Sequence, residues 1–334
     1  MSERVPHIPV MLADVLEVLQ PKDGGIYVDG TFGAGGYTRA ILGSADCAVL
    51  AIDRDPTAIM RGRELQSKFA GRLTLVEGCF GDMARLVREL GHEAVDGVVL
   101  DLGVSSMQID EAERGFSFQK DGPLDMRMSG QGVSAADVVN TFDEGDLARI
   151  IAVYGEEKRA RAVARAIVKA REAERFERTL ALADTVARVI GRRPQDRIHP
   201  ATRTFQALRI YVNDELGELA RGLSGAEGLL REGGRLAAVT FHSLEDRVVK
   251  RFLTARTGRA ARANRFMPEI DEVPPSFREI EHKARKASEA EADINPRARS
   301  AKLRAAERTA APVLPLDLAD LGIARMPSIL EGQA

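Results

Sequence analysis

At 334 residues the chain has room for one large domain or two moderate ones, and its 48 basic and 50 acidic residues nearly cancel, so bulk charge neither demands nor excludes nucleic acid. Cys47 and Cys79 lie in apolar segments without metal-ligand spacing and read as core thiols in a reducing compartment, so no metal is expected. There is no signal-peptide pattern at the N-terminus and no apolar run of membrane-spanning length, which makes a cytoplasmic protein with no membrane partner the expectation.

His7 to Met11 leads into a short amphipathic helix that runs to Leu19. Ile26 to Val28 then reads as a buried strand ending at Asp29, and Gly30, Gly33, Gly35 and Gly36 follow before a helix-like stretch from Tyr37 to Leu42. Such glycines let a backbone turn sharply and approach a ligand without a Cβ in the way. The dinucleotide fingerprint G-x-G-x-x-G fails here, because its third glycine position is Thr38. An acid followed by G-x-G instead suits the first motif of methyltransferases that use S-adenosylmethionine, where the acid can hold the ammonium of the methionine part. An ordinary tight β–α turn is the plainer alternative. Ala48 to Ile52 forms a second apolar run ending at Asp53, about 20 residues after the glycines, where a ribose-binding carboxylate falls. A helix cap before Pro56 is a compatible second role for Asp53.

Pro56 to Phe69 reads as a charged helix and Leu73 to Glu77 as a third strand, followed by Gly78-Cys79-Phe80. Asp82 is placed to cap a helix with Met83, Leu86, Val87 and Leu90 on one face. Val95 to Leu100 is nearly all apolar, as a strand buried on both faces should be, and ends at Asp101 before Leu-Gly-Val-Ser-Ser106. Strands alternating with helices predict a parallel, doubly wound α/β sheet. Ligands in such sheets sit beyond the carboxyl ends of the strands, where Asp29, Asp53, Phe80 and Asp101 all fall.

From about Gln108 to Asn213 the pattern is helical. Ser134-Ala-Ala-Asp137 is a capping box, a basic helix spans roughly Glu156 to Arg175, and another ends at Gly191. Pro200 opens a further helix with Phe205, Leu208, Val212 and Leu216 on one face. Charge divides within this insertion: residues 105–150 hold 9 acids and 4 bases, residues 151–212 hold 14 bases and 7 acids. The second part is a basic patch suited to a phosphate backbone, or a solvated helix face. The sheet resumes at Gly234 to Phe241, followed by a helix capped by Ser243. Residues 257–275 read as a surface loop, and 279–308 as an antiparallel edge ending in a strand from Ala301 to Ala306. From Thr309 the tail either docks or stays free. The organisation expected is a core of 1–106 with 214–308, a substrate-recognition insertion at 107–213, and a tail at 309–334.

These blocks together resemble the RsmH (MraW) family of small-subunit ribosomal RNA methyltransferases. The resemblance rests on Asp29-Gly-Thr-Phe-Gly-Ala-Gly-Gly36, Ala51-Ile-Asp-Arg-Asp-Pro56, Leu100-Asp-Leu-Gly-Val-Ser-Ser106 and Glu113-Arg-Gly-Phe-Ser-Phe118. It continues through Asp121-Gly-Pro-Leu-Asp-Met-Arg-Met128, His199-Pro-Ala-Thr-Arg-Thr-Phe-Gln-Ala207, Phe241-His-Ser-Leu-Glu-Asp-Arg247 and Asn295-Pro-Arg-Ala-Arg-Ser300. It implies a class I methyltransferase sheet with an inserted helical domain, S-adenosyl-L-methionine as cofactor, and methylation of the exocyclic N4 of a cytidine in the decoding region of 16S rRNA. The implied partner is 16S rRNA in the small ribosomal subunit, and a homodimer is compatible with it. The implied cofactor contacts are Gly33, Gly35, Gly36, Tyr37, Asp53, Phe80, Asp101 and Gln108, beside Asp29. Tyr37 stands where the family usually has histidine, and Cys79 where asparagine is common.

The chemistry asks for alignment, exclusion of water and handling of one proton. An exocyclic cytosine amine is a poor nucleophile, so an acceptor that takes its proton helps, and Asp101 is the first candidate for that catalytic role. Ser105, Ser106 and His242 fall near the same sheet edge. The DNA-type amino-methyltransferase motif, with two prolines and an aromatic after the fourth strand, is absent from Asp101-Leu-Gly-Val-Ser-Ser106. Base capture therefore needs other groups, with Phe116, Phe118 and Tyr154 as candidates for stacking or for core packing. Two rival readings remain: a nicotinamide-dependent oxidoreductase, disfavoured by Thr38, and an RNA-binding assembly factor that keeps the cofactor pocket without turnover.

Overall fold

The computed structural model describes residues 9–191, 198–258 and 274–327. The start of the N-terminal helical lead at His7, and nearly all of the surface loop expected at 257–275, lie outside the described residues. Two compact units divide the chain: Met1–Gly103 with Leu216–Ile323, and Val104–Glu215 with Ala324–Ala334.

The first unit opens with α1 (Leu12–Leu19), β1 (Ile26–Asp29), α2 (Gly36–Ser44), β2 (Ala48–Asp53), α3 (Pro56–Lys68), β3 (Leu73–Glu77), α4 (Met83–Glu89) and β4 (Val95–Asp101). The second unit holds α5 (Ser106–Asp110), α6 (Ala135–Thr141), α7 (Glu144–Gly155), α8 (Ala160–Arg171), α9 (Thr179–Ile190) and α10 (Thr202–Val212). The chain then passes through α11 (Glu215–Leu229) back to the sheet with β5 (Leu230–Thr240), α12 (Ser243–Arg256), β6 (Phe277–Glu279), β7 (Arg285–Lys286), α13 (Glu289–Ile294) and β8 (Lys302–Arg308).

The strands form one sheet in the order β3-β2-β1-β4-β5-β8-β6, with β7 also paired to β8. β1 to β5 run parallel, and β8 is antiparallel to β5, to β6 and to β7. Val98, Val99 and Leu100 of β4 are wholly buried, which is why that strand is apolar on both of its faces. Strand order reverses between β1 and β4, and this is where a doubly wound sheet opens a crevice for a ligand. The expected α/β architecture is present.

Several local expectations differ from the structure. β5 begins at Leu230 rather than Gly234, with an irregularity in its pairing opposite Val95 and Gly97. The antiparallel edge expected from 279–308 is present, with its last strand at Lys302–Arg308 rather than Ala301–Ala306 and with β6 and β7 on the outer side of β8. Leu216 belongs to α11, since α10 ends at Val212 and Asp214 turns the chain with φ of 46°. Asp82 precedes α4 without capping it; its carboxylate pairs with Arg85 at 3.3 Å. Leu90 is 41% exposed and lies beyond the helix's buried face. The N-cap of α12 is His242, whose Nδ1 accepts the Glu245 N–H, and Ser243 is the first helical residue. The capping box at Ser134 and Asp137 is present as expected.

From Thr309 to Ile323 the tail packs within the first unit. Glu227, wholly buried, accepts hydrogen bonds from Arg256 Nε at 2.5 Å, Ser276 Oγ at 2.6 Å and the Leu314 N–H at 3.1 Å. Arg251 donates to the Leu321 carbonyl, and Leu321 is 2% exposed. Within the second unit, Tyr211 donates to the Pro327 carbonyl at 2.6 Å.

Candidate cofactor and active site

The site is assembled at the carboxyl ends of β1, β2, β3 and β4. Asp29 closes β1 and is wholly buried. Its Oδ1 accepts the Thr31 N–H at 3.1 Å and its Oδ2 accepts the Thr38 hydroxyl at 2.7 Å. Burial raises its pKa, opposed by these bonds. Each oxygen thus meets one protein donor, so Asp29 braces the glycine turn from beneath.

Two glycines of the turn answer to protein packing as well as to ligand approach. Gly35 has φ of 73°, and a Cβ there would lie 2.8 Å from the Phe32 ring; a Cβ on Gly36 would run into Pro9. The Gly33 N–H donates to Asp53 Oδ2 at 2.7 Å, and the Asp55 N–H donates to Asp53 Oδ1 at 2.8 Å. Burial pushes the Asp53 carboxyl up to about 6, against an ordinary 3.8. The cap of α3 is Asp55, which accepts the Thr57 N–H, so Asp53 is not spent on that helix. Each Asp53 oxygen retains a lone pair for a hydroxyl.

Tyr37 is turned inward. Its ring is 3% exposed, its hydroxyl donates to the Val10 carbonyl, and burial drives its pKa well above the ordinary value. Only its backbone, in the first turn of α2, is left to serve a ligand. Phe80 begins a single 3-10 turn, Phe80–Asp82, after β3. Its ring lies against Gly222 of α11, where a Cβ would come within 2.5 Å. Cys79 is partly buried, and burial raises the pKa of both it and Cys47, so neither thiol is activated for attack.

Asp101 ends β4. Its N–H donates to Thr31 Oγ1 at 2.6 Å, while its carboxylate Oδ1 is buried with no hydrogen-bond partner. Burial first, then the charges of Asp29 and Glu245, push its pKa well above the carboxylate range. Leaving a buried acceptor unpaired costs about 1–3 kcal/mol, and a ligand donor relieves that cost. A cofactor that carries an ammonium and ribose hydroxyls brings donors to this acceptor-rich edge. Sequence reasoning missed two residues here. Thr31 links Asp29 to Asp101, and an Asx turn two residues after the strand-ending acid was its signal. Glu245 accepts the N–H groups of Phe241 at 2.8 Å and His242 at 3.2 Å, and H-S-L-E spacing was the hint. His242 Nε2 approaches Glu245 Oε1 to 3.0 Å, but the alignment is too poor for a hydrogen bond.

In the second unit, Gln108 is buried and its side chain accepts the Ser105 N–H at 3.1 Å, completing the capping box of α5. Ser105 is the reciprocal partner, accepting the Gln108 N–H. Phe116 and Tyr154 are 9% and 6% exposed and pack inside the unit; Phe118 is only half-buried.

A family model described as the MraW methylase family matches residues 4–309. The chain belongs to that family. It is 82% identical to the ribosomal RNA small subunit methyltransferase H of Parvibaculum lavamentivorans, over 97% of this chain and 96% of that protein. It is 62% identical to the protein of the same name from Paramagnetospirillum magneticum, over 92% and 97%. A solved rRNA methylase from Streptococcus thermophilus aligns over 92% of this chain and 99% of that one, at 14% identity and a TM-score of 0.36, too low to add to the topology. Membership makes the chain a methylase. The family's resemblance in the blocks around Asp29, Asp53 and Asp101 coincides with the acids that the fold gathers there.

Proposed function

We propose that the protein transfers a methyl group from S-adenosylmethionine to the exocyclic N4 of a cytidine in the decoding region of 16S rRNA, acting in the cytoplasm on the small ribosomal subunit. The observation that carries the catalytic part is the buried, unpartnered Oδ1 of Asp101 at the end of β4. The cofactor, when bound, supplies an electrophilic methyl on a sulfonium. Asp53 accepts the ribose hydroxyls, the backbone of Gly33, Gly35, Gly36 and Tyr37 lines the approach, and Phe80 offers its ring edge. Asp29 holds the turn, and Gln108 fixes the start of α5. Asp101 accepts an N–H of the target amine, which turns the nitrogen lone pair toward the methyl, and its raised pKa suits it to hold the proton released.

We assign catalysis to residues 1–106 with 214–308 and RNA recognition to the helical segment 107–213. Arg161, Arg165 and Lys169 support the second assignment: they are exposed at i, i+4 and i+8 along one face of α8.

The test incubates purified protein with labelled S-adenosylmethionine and small subunits from cells lacking this activity, then digests the RNA and identifies the labelled nucleoside. N4-methylcytidine in the decoding region is expected. Asp101→Asn should lower kcat by about a hundredfold or more while the protein still binds cofactor. Label on another base discards the substrate assignment. Cofactor binding without any transfer favours the assembly-factor reading.

A further inference from the structure

We infer that Phe118 and His199 form a stacking platform for an unpaired nucleobase of the RNA substrate. The inference rests on the rRNA reading above and names the side chains that would hold the strand. Within the helical unit, the two other candidate aromatics are consumed by packing: Phe116 and Tyr154 are buried, and burial pushes the Tyr154 hydroxyl up to about 12. Phe118 is different. Its ring lies 4.6 Å from the His199 ring at a 37° tilt, and 4.7 Å from Phe205 with an edge-on angle of 73°. Phe205 is buried on α10 and backs the ring from the protein side. Both Phe118 and His199 remain partly exposed.

The imidazole is held in place by the backbone. His199 Nδ1 accepts the Ala201 N–H at 3.2 Å at the entrance to α10, which fixes the ring plane beside Phe118. Ile198, immediately before it, is 66% exposed. In the first turn of α10, Arg203 reaches the Glu156 carbonyl at 3.4 Å and approaches Glu157 at 3.8 Å, with its side chain 54% exposed. That places α10's first turn against the corner between α7 and α8, where Lys158 and Arg159 are exposed. Glu156 is exposed at the same corner and Glu157 is buried. Lys158, Arg159 and Arg203 thus carry positive charge on the same helical unit as the aromatic pair, with Arg203 four residues from His199 and shared with Glu157. A base has a π-face of any sequence and a phosphate on either side, so it meets this combination better than an acidic or apolar peptide would.

The experiment compares full-length wild type with Phe118→Leu, Phe118→Tyr and His199→Phe in steady-state methylation of small subunits, with cofactor affinity measured separately. Phe118→Leu keeps an apolar contact with Phe205 but removes the ring face. It should raise KM for the RNA about 5- to 100-fold and leave the cofactor Kd unchanged. Phe118→Tyr, which keeps the aromatic face, should stay near wild type, and His199→Phe, which keeps a ring but loses the Nδ1 bond that sets its plane, should fall between wild type and Phe118→Leu. Equal RNA KM in Phe118→Leu and wild type overturns the platform, as does a loss shared by Phe118→Tyr. Should Phe118→Leu fail to fold, ultraviolet cross-linking of the wild-type protein to substrate RNA carrying 4-thiouridine decides. Cross-links mapped to the segments bearing Phe118 or His199 support the platform, and cross-links confined elsewhere overturn it. An inactive wild type would instead count against the rRNA reading, which the unmutated control reports on its own.

Discussion

The hydroxyl of Thr31 accepts the backbone N–H of Asp101 at 2.6 Å, tying the turn after β1 to the last residue of β4. Thr31 also donates its own N–H to Asp29 Oδ1. One side chain and one amide therefore latch the two strands at the point where the sheet order reverses, and hold Asp101's backbone while its carboxylate stays unpaired.

Thr31→Val keeps the shape and removes the acceptor. The Asp101 N–H is then unbonded in a largely buried place, and stability should fall by about 1–3 kcal/mol in urea denaturation. Thr38→Val should lose a comparable amount, because Asp29 would stay enclosed with one donor fewer. Unchanged midpoints for both variants would show that the latch carries no weight.

Asp53 gives opposite pH trends for folding and for binding. Its folded pKa, about 6, lies above the ordinary 3.8, so between these values the native state holds more protons than the unfolded one. Its contribution to stability is fully present below the lower value and lost as pH rises through the upper. If the ionised carboxylate accepts ribose hydroxyls, cofactor affinity should climb over the same window. Denaturation and calorimetric titration of wild type against Asp53→Asn check both signs, since the variant should show neither trend from this residue.

Tyr37→Phe separates the two parts of that residue. Losing the hydroxyl leaves the Val10 carbonyl without its partner, and stability should fall by about 1–2 kcal/mol. Cofactor affinity should not change, because only the backbone faces the turn. A large rise in cofactor Kd, with the fold intact, would place the phenol in the binding site.

Glu227→Gln strips the carboxylate from Arg256, which is 4% exposed and also donates to the Leu314 and Pro315 carbonyls. Breaking a buried pair from one side should cost about 3–5 kcal/mol, read from the denaturation midpoint. Replacing Arg256 by Met in the same chain should recover part of the loss, because no buried charge is then left without its partner.

The strand ends were legible because a buried parallel strand is an apolar run with a polar stop, and Asp29, Asp53 and Asp101 are such stops. Helix faces were legible where their period was uninterrupted, as in α9 up to Gly191. What escaped was set by distant partners. Nothing local says that Gly36 must admit Pro9, that Glu227 collects the tail, or that β8 is covered by two further strands. The choice between His242 and Ser243 as the cap of α12 was likewise undecidable from type, since serine is the commoner cap and only the backbone angles at His242 reverse the order. Phe116, Phe118 and Tyr154 looked alike as sequence, and burial alone tells the two core residues from the half-exposed one.

The position of β8 bears on how the protein is made. The strand that flanks β5 comes from residues 302–308, and β5 itself follows the whole span Val104–Glu215 of the helical unit. A ribosome releases β1 to β4 first, then that helical span, and only afterwards the strands that pair beyond β4. During this interval β4, and later β5, presents an unpaired row of N–H and C=O groups, a template for pairing with another nascent chain. Translation order and sheet order thus run out of step, and any product truncated before residue 302 keeps its β5 edge open for good.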